Sequence, residues 1–289
     1  MESLSKTKDG SNLALLNIGY AVHRGDWNYK HVNSPFARIY LVKEGRAKLN
    51  LPMRTQELAP GHLYIIPPFT LHSYECDDYF SLYYIHIYGN HFFYQHILED
   101  FLFPTEIFSS QLLDMLVEHL YHINPGRELS HYDPLEYDNQ NTLIKTLSLH
   151  SHNRLSTIIE TEGILMQLLS HFLKEASPKY NTEEDRVKKV LRDIRMNIDQ
   201  PISVESLASS SSLSKDYFSR LFKQEMTITP YQYIYQKKIE RAQLLLITTD
   251  LSIKDIAYSL AFNDVSYFSK LFKITTGHTP KEYRVLHNQ

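Results

Sequence analysis

Hydrophobic positions follow two different rhythms along this chain. Over residues 13–87, short apolar or alternating runs are separated by turn residues, at 14–21, 38–42, 47–51, 63–66 and 80–87. Such runs predict strands. Glu44-Gly45-Arg46 and Ala59-Pro60-Gly61 are expected as hairpin turns, and the close spacing predicts a small antiparallel barrel or sandwich of the jelly-roll kind. Past Phe92 the spacing becomes helical. Leu112, Leu113, Leu116, Val117 and Leu120 form one stripe, and Ile158, Ile159, Leu165, Leu168, Leu169, Phe172 and Leu173 form a wider one. The wider stripe can pack on the barrel, on the first helix or on a second copy of itself. Between the two helices, Asn124-Pro125-Gly126 and residues 131–141 are polar and are expected as loop.

In the last third a pattern occurs twice. Ser203, Leu207, Ala208, Phe218, Leu221, Phe222, Pro230 and Tyr233 return as Ser252, Ile256, Ala257, Phe268, Leu271, Phe272, Pro280 and Tyr283, offset by 49 residues and then by 50. Each copy reads as a helix, a tight turn and a second helix, which is a helix-turn-helix. Ser203, Ser214, Ser252 and Asn263 are expected to cap the four helices, with Asp255 completing a box at Ser252. Thr229-Pro230 and Thr279-Pro280 repeat one stop and restart, with Gln232 and Glu282 three residues after each threonine. Residues 231–246 carry no breaker, so one helix is expected to join the copies. Phe218, Leu221, Phe222 and Phe268, Leu271, Phe272 should face inward. That leaves Asp216, Ser219, Arg220 and Lys223 outside in the first copy, and Ser266, Tyr267, Ser269, Lys270 and Lys273 outside in the second. Second helices of this motif enter the DNA major groove, so these are the candidate DNA-binding residues.

Charge sharpens that reading. The whole chain is −3, but residues 186–289 hold 16 Lys and Arg against 10 Asp and Glu, a net of +6, which leaves −9 for the rest. Only the C-terminal part therefore suits a phosphate backbone. The polar, proline-containing stretch 177–185 sits where the balance reverses and is expected as the linker. With 289 residues, 43% hydrophobic and 22% charged, disorder is excluded and about two domains fit. Nothing approaches the roughly 20 apolar residues of a membrane span and no signal peptide opens the chain, so the cytoplasm is the expected location and no membrane partner is expected. The single cysteine, Cys76, allows no internal disulfide and is expected as a packing residue.

Residues 201–284 resemble the DNA-binding domain of the AraC/XylS family of bacterial transcription regulators. The resemblance rests on Ser252-Ile253-Lys254-Asp255-Ile256-Ala257, on the run from Phe262 to Lys273, on Gly277-His278-Thr279-Pro280 and on Tyr283-Arg284. Relatives carry glycine where this chain has Ser212, Thr227 and Ala261, and arginine where it has Lys238. Leu58-Ala59-Pro60-Gly61, Ile65-Ile66-Pro67-Pro68 and His72 likewise resemble one of the two cupin motifs, although the preceding strands carry no His-x-His followed by the Glu of a cupin metal site. No metal, cofactor or catalytic residue is therefore expected. The fold class implied is α+β. A cupin-like sensor barrel spans 1–92, a helical dimerisation segment packed on it 93–176, the linker 177–185, and a double helix-turn-helix domain 186–289. The resemblance further implies a small-molecule effector, often a sugar or related metabolite, held by Arg38 with Trp27, Tyr40, Tyr64 and His72 as surrounding residues. Its implied partners are double-stranded promoter DNA, a second copy of the chain and RNA polymerase. Two other readings stay open: a metal-dependent cupin enzyme with a DNA-binding tail, and a constitutive DNA-binding dimer with no ligand.

Overall fold

Strand β2 (Ala37–Gly45) lies at the centre of a five-stranded antiparallel sheet in the computed structural model, which describes residues 13–89, 97–98, 101–138, 154–178 and 184–286. Its neighbours are β7 (Tyr79–Gly89), then β1 (Leu13–Arg24) on one side, and β5 (His62–Ile66), then β9 (Glu106–Phe108) on the other. A second, three-stranded sheet is formed by β3 (Ala47–Leu51), β4 (Arg54–Leu58) and β6 (Ser73–Glu75), and β8 (Phe101–Leu102) belongs to a separate two-stranded sheet. Register explains the burial. Ile39 faces Ile65 and Ile85 across its two ladders, while Tyr40 faces Tyr64 and Tyr84. With a side-chain period of two, the isoleucines fall on one face and the tyrosines on the other. The isoleucine face packs against α1 (Gln111–Ile123) and α3 (Leu155–Leu173); the tyrosine face joins Leu49, Leu58 and Tyr74 of the small sheet. Both faces are buried, so β2, β5 and β7 read as near-continuous apolar runs.

The two expected hairpins are corrected. Gly45 and the Ala59-Pro60-Gly61 segment carry the chain between the two sheets, since β2 and β5 belong to the large sheet while β3 and β4 belong to the small one. At Gly45, φ is +73° and an added Cβ would lie 1.9 Å from the Tyr79 carbonyl oxygen, so this corner admits only glycine. The true hairpin is Pro52-Met53 between β3 and β4, where Leu51 pairs with Arg54. Strand β4, Arg54-Thr55-Gln56-Glu57-Leu58, lacks apolar alternation because it is an edge strand with mostly exposed side chains.

Leu113, Val117 and Leu120 of α1 are buried, whereas Leu112 is exposed. Helix α3 buries Ile164, Leu165, Leu168, Leu169 and Phe172 against the sheet and α1, and Ile158 is buried as well, which leaves Leu155, Ile159 and Met166 exposed. The polar stretch 131–138 is not plain loop: α2 (Pro134–Tyr137) is a helical turn, and Tyr137 and Asp138 are buried. Residues 139–141 lie outside the described residues.

The chain divides into two compact units, Met1–Ser177 and Pro178–Gln289. In the second, a helix additional to those expected, α4 (Asp185–Met196), buries Val187, Val190, Leu191 and Ile194 at helical spacing. Then follow α5 (Val204–Ser210), α6 (Lys215–Met226), the joining helix α7 (Pro230–Thr248), α8 (Ile253–Ser259), α9 (Val265–Thr276) and α10 (Pro280–Leu286). Ser203, Ser214 and Ser252 cap as expected, and Thr229 with Gln232 forms a complete capping box. Asn263 does not cap α9. Asp264 does, accepting from the amides of Ser266 and Tyr267, because its carboxylate sits at the position where those amides are orphaned.

The three positions that lack the family's glycines keep glycine geometry. Ser212, Thr227 and Ala261 have φ of 56°, 63° and 55°. Thr227 ends α6 in the left-handed conformation, as Gly277 ends α9 at φ 83°. A β-branched residue is strained there. Thr227→Gly is therefore expected to raise stability by about 1 kcal/mol, after allowance for the entropy glycine adds to the unfolded chain. A lower urea midpoint for the variant would contradict this. Lys238, in place of the family's arginine, is buried in α7 and donates to the carbonyls of Gln200 at 3.1 Å and Leu260 at 2.5 Å, which ties the two copies together. Burial pushes its pKa down to about 8, against the opposing pull of Asp199. No helix among the described residues is long and apolar enough to cross a membrane.

Candidate functional site

The outward faces of α6 and α9 are built by the packing beneath them. Phe218 and Phe222 are buried in α6, as are Phe268 and Phe272 in α9, while Leu221 and Leu271 are only half-buried. With the phenylalanines inside, Asp216, Arg220 and Lys223 are exposed on α6, and Ser266, Lys270 and Lys273 on α9. Among the described residues, Arg220, Lys223, Lys270 and Lys273 form no close ion pair with a carboxylate, in contrast to Lys215 with Glu205 and Lys237 with Glu240, although Glu282 feels the charge of Lys273. Exposed cations outside close ion pairs on two such helices suit phosphate and guanine edges.

Two expected readers are partly engaged within the chain. Ser269 Oγ donates to the Val265 carbonyl at 2.8 Å, and the Tyr267 hydroxyl meets that of Tyr231 at 2.8 Å. Ser219 is half-buried beside Arg220. Tyr217, 46% exposed on α6, is missing from the expected set, although the repeat aligns it with the outward Tyr267.

Within the first unit the expected effector residues are separated by their contacts. Trp27 and Tyr40 line a narrow cleft with His23, Leu82, Tyr84, His86, Leu129, Tyr132 and Tyr137, which leaves room for about one water. Trp27 is stacked on Tyr74, with ring centroids 4.1 Å apart. Tyr64 lies away from the cleft lining, its hydroxyl accepting from the Ala59 amide at 2.9 Å. His72 is enclosed. Its Nδ1 lies 2.7 Å from the Thr70 carbonyl, which can only accept, so Nδ1 carries the proton and Nε2 accepts from the Tyr74 hydroxyl at 2.7 Å. Tyr74 in turn must accept from Tyr40, 2.7 Å away. Both imidazole nitrogens are thus occupied. Burial first, and then the charge of Arg38, push the His72 pKa down to about 3. Burial, Arg38 and His72 hold His86 well below its usual value, and burial lowers His23 against the pull of Asp26. Among the described residues, no three histidine, cysteine or acidic groups gather to hold a metal ion. His119 bonds Glu160, His122 Nδ1 faces its own helix at the Glu118 carbonyl, and His150 and His152 lie outside the described residues.

Arg38 is 1% exposed. Its Nη2 donates to Ser34 Oγ at 2.6 Å and to the Tyr137 hydroxyl at 3.4 Å, and lies 3.8 Å from the Asp138 carboxylate, which also accepts from Ser34 Oγ. Its guanidinium lies over the Phe36 ring at 4.6 Å, and the Tyr137 ring stacks on His86 at 5.2 Å. Tyr137 and Asp138 come from the polar stretch expected as loop. Nothing in its composition marked them as core.

Residues 18–169 match a family model described as an AraC-like ligand binding domain, and residues 207–285 match one described as a helix-turn-helix domain. The chain is 26% identical over 252 residues to the Msm operon regulatory protein of Streptococcus mutans serotype c, which covers 85% of this chain and 83% of that one. It is 35% identical over 128 residues to the transcriptional activator NphR of a Rhodococcus species, 44% of this chain and only 35% of that protein's length. Among solved structures, unsaturated fatty acid bound ToxT of Vibrio cholerae strain SCE256 aligns over 98% of both chains, at 17% identity and a TM-score of 0.48.

Proposed function

Because the chain belongs to the AraC family of transcription regulators, with a ligand-binding domain and a helix-turn-helix DNA-binding domain, we propose that it reads promoter DNA sequence-specifically through α6 and α9 under the control of a small molecule held in the barrel. The observation that carries this reading is the set of four exposed cations that no close ion pair holds, Arg220 and Lys223 on α6 and Lys270 and Lys273 on α9. The Arg220 fork can donate two hydrogen bonds to a guanine edge, and Lys223 and Lys273 lie about a turn further along, suited to phosphate. Differences between the two copies, Arg220 against Lys270 and Asp216 against Ser266, make the two heads unequal, so one chain reads an asymmetric site.

The exposed Leu155, Ile159 and Met166 on α3 support pairing of two chains along that helix, interrupted by Glu162. RNA polymerase as a partner, the cytoplasm as location and a purely regulatory rather than enzymatic role complete the proposal, and follow from the family rather than from any group of side chains. In the barrel, Arg38 is the anchor and Trp27 and Tyr40 are walls, whereas His72 supports Tyr74 from behind. Tyr64 belongs to the packing.

The test is selection of bound fragments from a genomic library, followed by gel-shift titration of Arg220→Ala on the selected site and on single-base variants. The expected result is a loss of about 1–3 kcal/mol on the selected site together with relaxed preference at one base pair. An equal loss on every sequence would assign Arg220 to phosphate instead.

A further inference from the structure

Charge inside the barrel narrows what can enter it. Arg38 is a permanent cation, His23, His72 and His86 are held toward the neutral form, and Asp138 is the carboxylate that faces the arginine. Asp138 is nevertheless an incomplete partner. It approaches Arg38 only through Nη2, a nitrogen already shared with Ser34 and Tyr137. Arg38 Nε and His86 Nδ1 are both buried and have no hydrogen-bond partner among the described residues. An arginine fork is fully used when a planar carboxylate accepts from two of its nitrogens side by side. The chain's own carboxylate covers this seat without filling it.

We propose that Tyr137 and Asp138 occupy the place of a ligand, and that the ligand of this cleft is a small planar carboxylate, which takes Arg38 from Asp138 and displaces the α2 turn. The inference rests on the reading of the barrel as the sensor and names its ligand class. A neutral ligand that displaced Asp138 would leave a buried guanidinium without counter-charge, whereas a carboxylate replaces one negative charge with another. The Tyr137 ring lies stacked on His86 and closes the cleft beside Trp27, Tyr40 and Tyr132. When it leaves, it vacates the space of one aromatic ring and frees the face of His86, whose Nδ1 is available to a second polar group of the ligand. Arg38 Nε and Nη2 then have a two-oxygen partner, which Asp138 in its present position does not supply.

The full chain provides its own probe, since its one tryptophan lines the cleft. Benzoate, acetate, benzamide and glucose are titrated against Trp27 fluorescence in the wild type and in Asp138→Ala. Removal of the internal competitor is expected to tighten benzoate binding about tenfold, because less of the protein is held in the self-occupied form. Benzamide and glucose are expected to give no response in either protein. Arg38→Met alone leaves Asp138 buried without its partner, so the control is the double variant Arg38→Met/Asp138→Leu, which removes both charges and is expected to fold but not to respond to benzoate. Equal benzoate affinity in wild type and Asp138→Ala, no carboxylate response in Asp138→Ala, or binding of benzamide or glucose as tight as that of benzoate would each overturn the proposal. Gel shifts in the same samples separate this inference from the reading beneath it. Carboxylate binding that leaves DNA affinity unchanged supports the seat and removes the sensor. A glucose response lost in the double variant keeps the sensor and removes the carboxylate.

Discussion

Lowering the pH from 7 to 5 is expected to destabilise the N-terminal unit by at least about 2 kcal/mol while leaving the C-terminal unit nearly unchanged. His72 is the main cause. Its folded pKa is about 3, set by burial and by the charge of Arg38, whereas an unfolded histidine titrates near 6.5. Between those values the unfolded chain binds the proton and the folded chain does not, so stability is fully present above pH 6.5 and is lost as pH falls toward 3. At pH 5, one and a half units below the unfolded value, His72 alone accounts for about 2 kcal/mol. His86 and His23 are lowered as well and add in the same direction. Asp26, which faces His23, has its own pKa lowered and so begins to matter only below the usual carboxylate range.

Urea unfolding followed by Trp27 fluorescence reports the N-terminal unit, and helical circular dichroism largely reports the C-terminal one. The fluorescence midpoint should fall between pH 7 and pH 5 and the dichroism midpoint should stay. No buried histidine lies in the second unit among its described residues, which is why the two probes should part. A fluorescence midpoint that stays level across that range would mean that His72 is not held neutral.

Phe222→Ala is expected to cost about 3–5 kcal/mol and to abolish DNA binding, although Phe222 faces away from any groove. The ring is fully buried, 5.7 Å from Phe218 and 5.8 Å from Tyr233, whose hydroxyl is held by Arg195 at 2.9 Å. A loss of that size is a large share of the roughly 5–15 kcal/mol by which a domain is folded. Phe272→Ala should act alike in the second copy, since Phe272 is buried against Phe268 and Tyr283. Arg220→Ala, by contrast, should leave the dichroism midpoint within about 0.5 kcal/mol of wild type, as an exposed side chain without a partner does. The pair of variants separates the packing that positions α6 from the reading done on its surface. If Phe222→Ala melts like wild type and still binds, the helix is held by something other than this cluster.

The repeat made the C-terminal unit legible. Its caps, its paired phenylalanines and its Thr-Pro restarts are local chemistry, complete within a few residues, so the helices and their outward faces follow from spacing. Even the departures at Ser212, Thr227 and Ala261 marked true left-handed positions. Asn263 and Asp264 are both good caps, and only the backbone decides which stands at the helix start. The linker stretch hid the start of α4, although Val187, Val190, Leu191 and Ile194 carry a helical period of their own.

The barrel was legible only as a set of strands. That β2 and β3 belong to different sheets, that β4 is an edge, and that Gly45 is a corner depend on pairings between distant residues, which no local pattern encodes. The cleft shows the same division. Arg38, Trp27 and Tyr40 entered the expectation through the resemblance to a known family, which implies them as effector residues. Tyr137 and Asp138 come from a polar stretch about a hundred residues after Arg38, and a turn of that composition is exposed in most settings. Their burial goes with the buried charge of Arg38, which they face. The sequence by itself determined the two helix-turn-helix copies, because caps and periodicity act over single turns of helix. Only the tertiary structure decided what stands against Arg38, because a buried cation takes its partner from wherever the fold brings a carboxylate within reach.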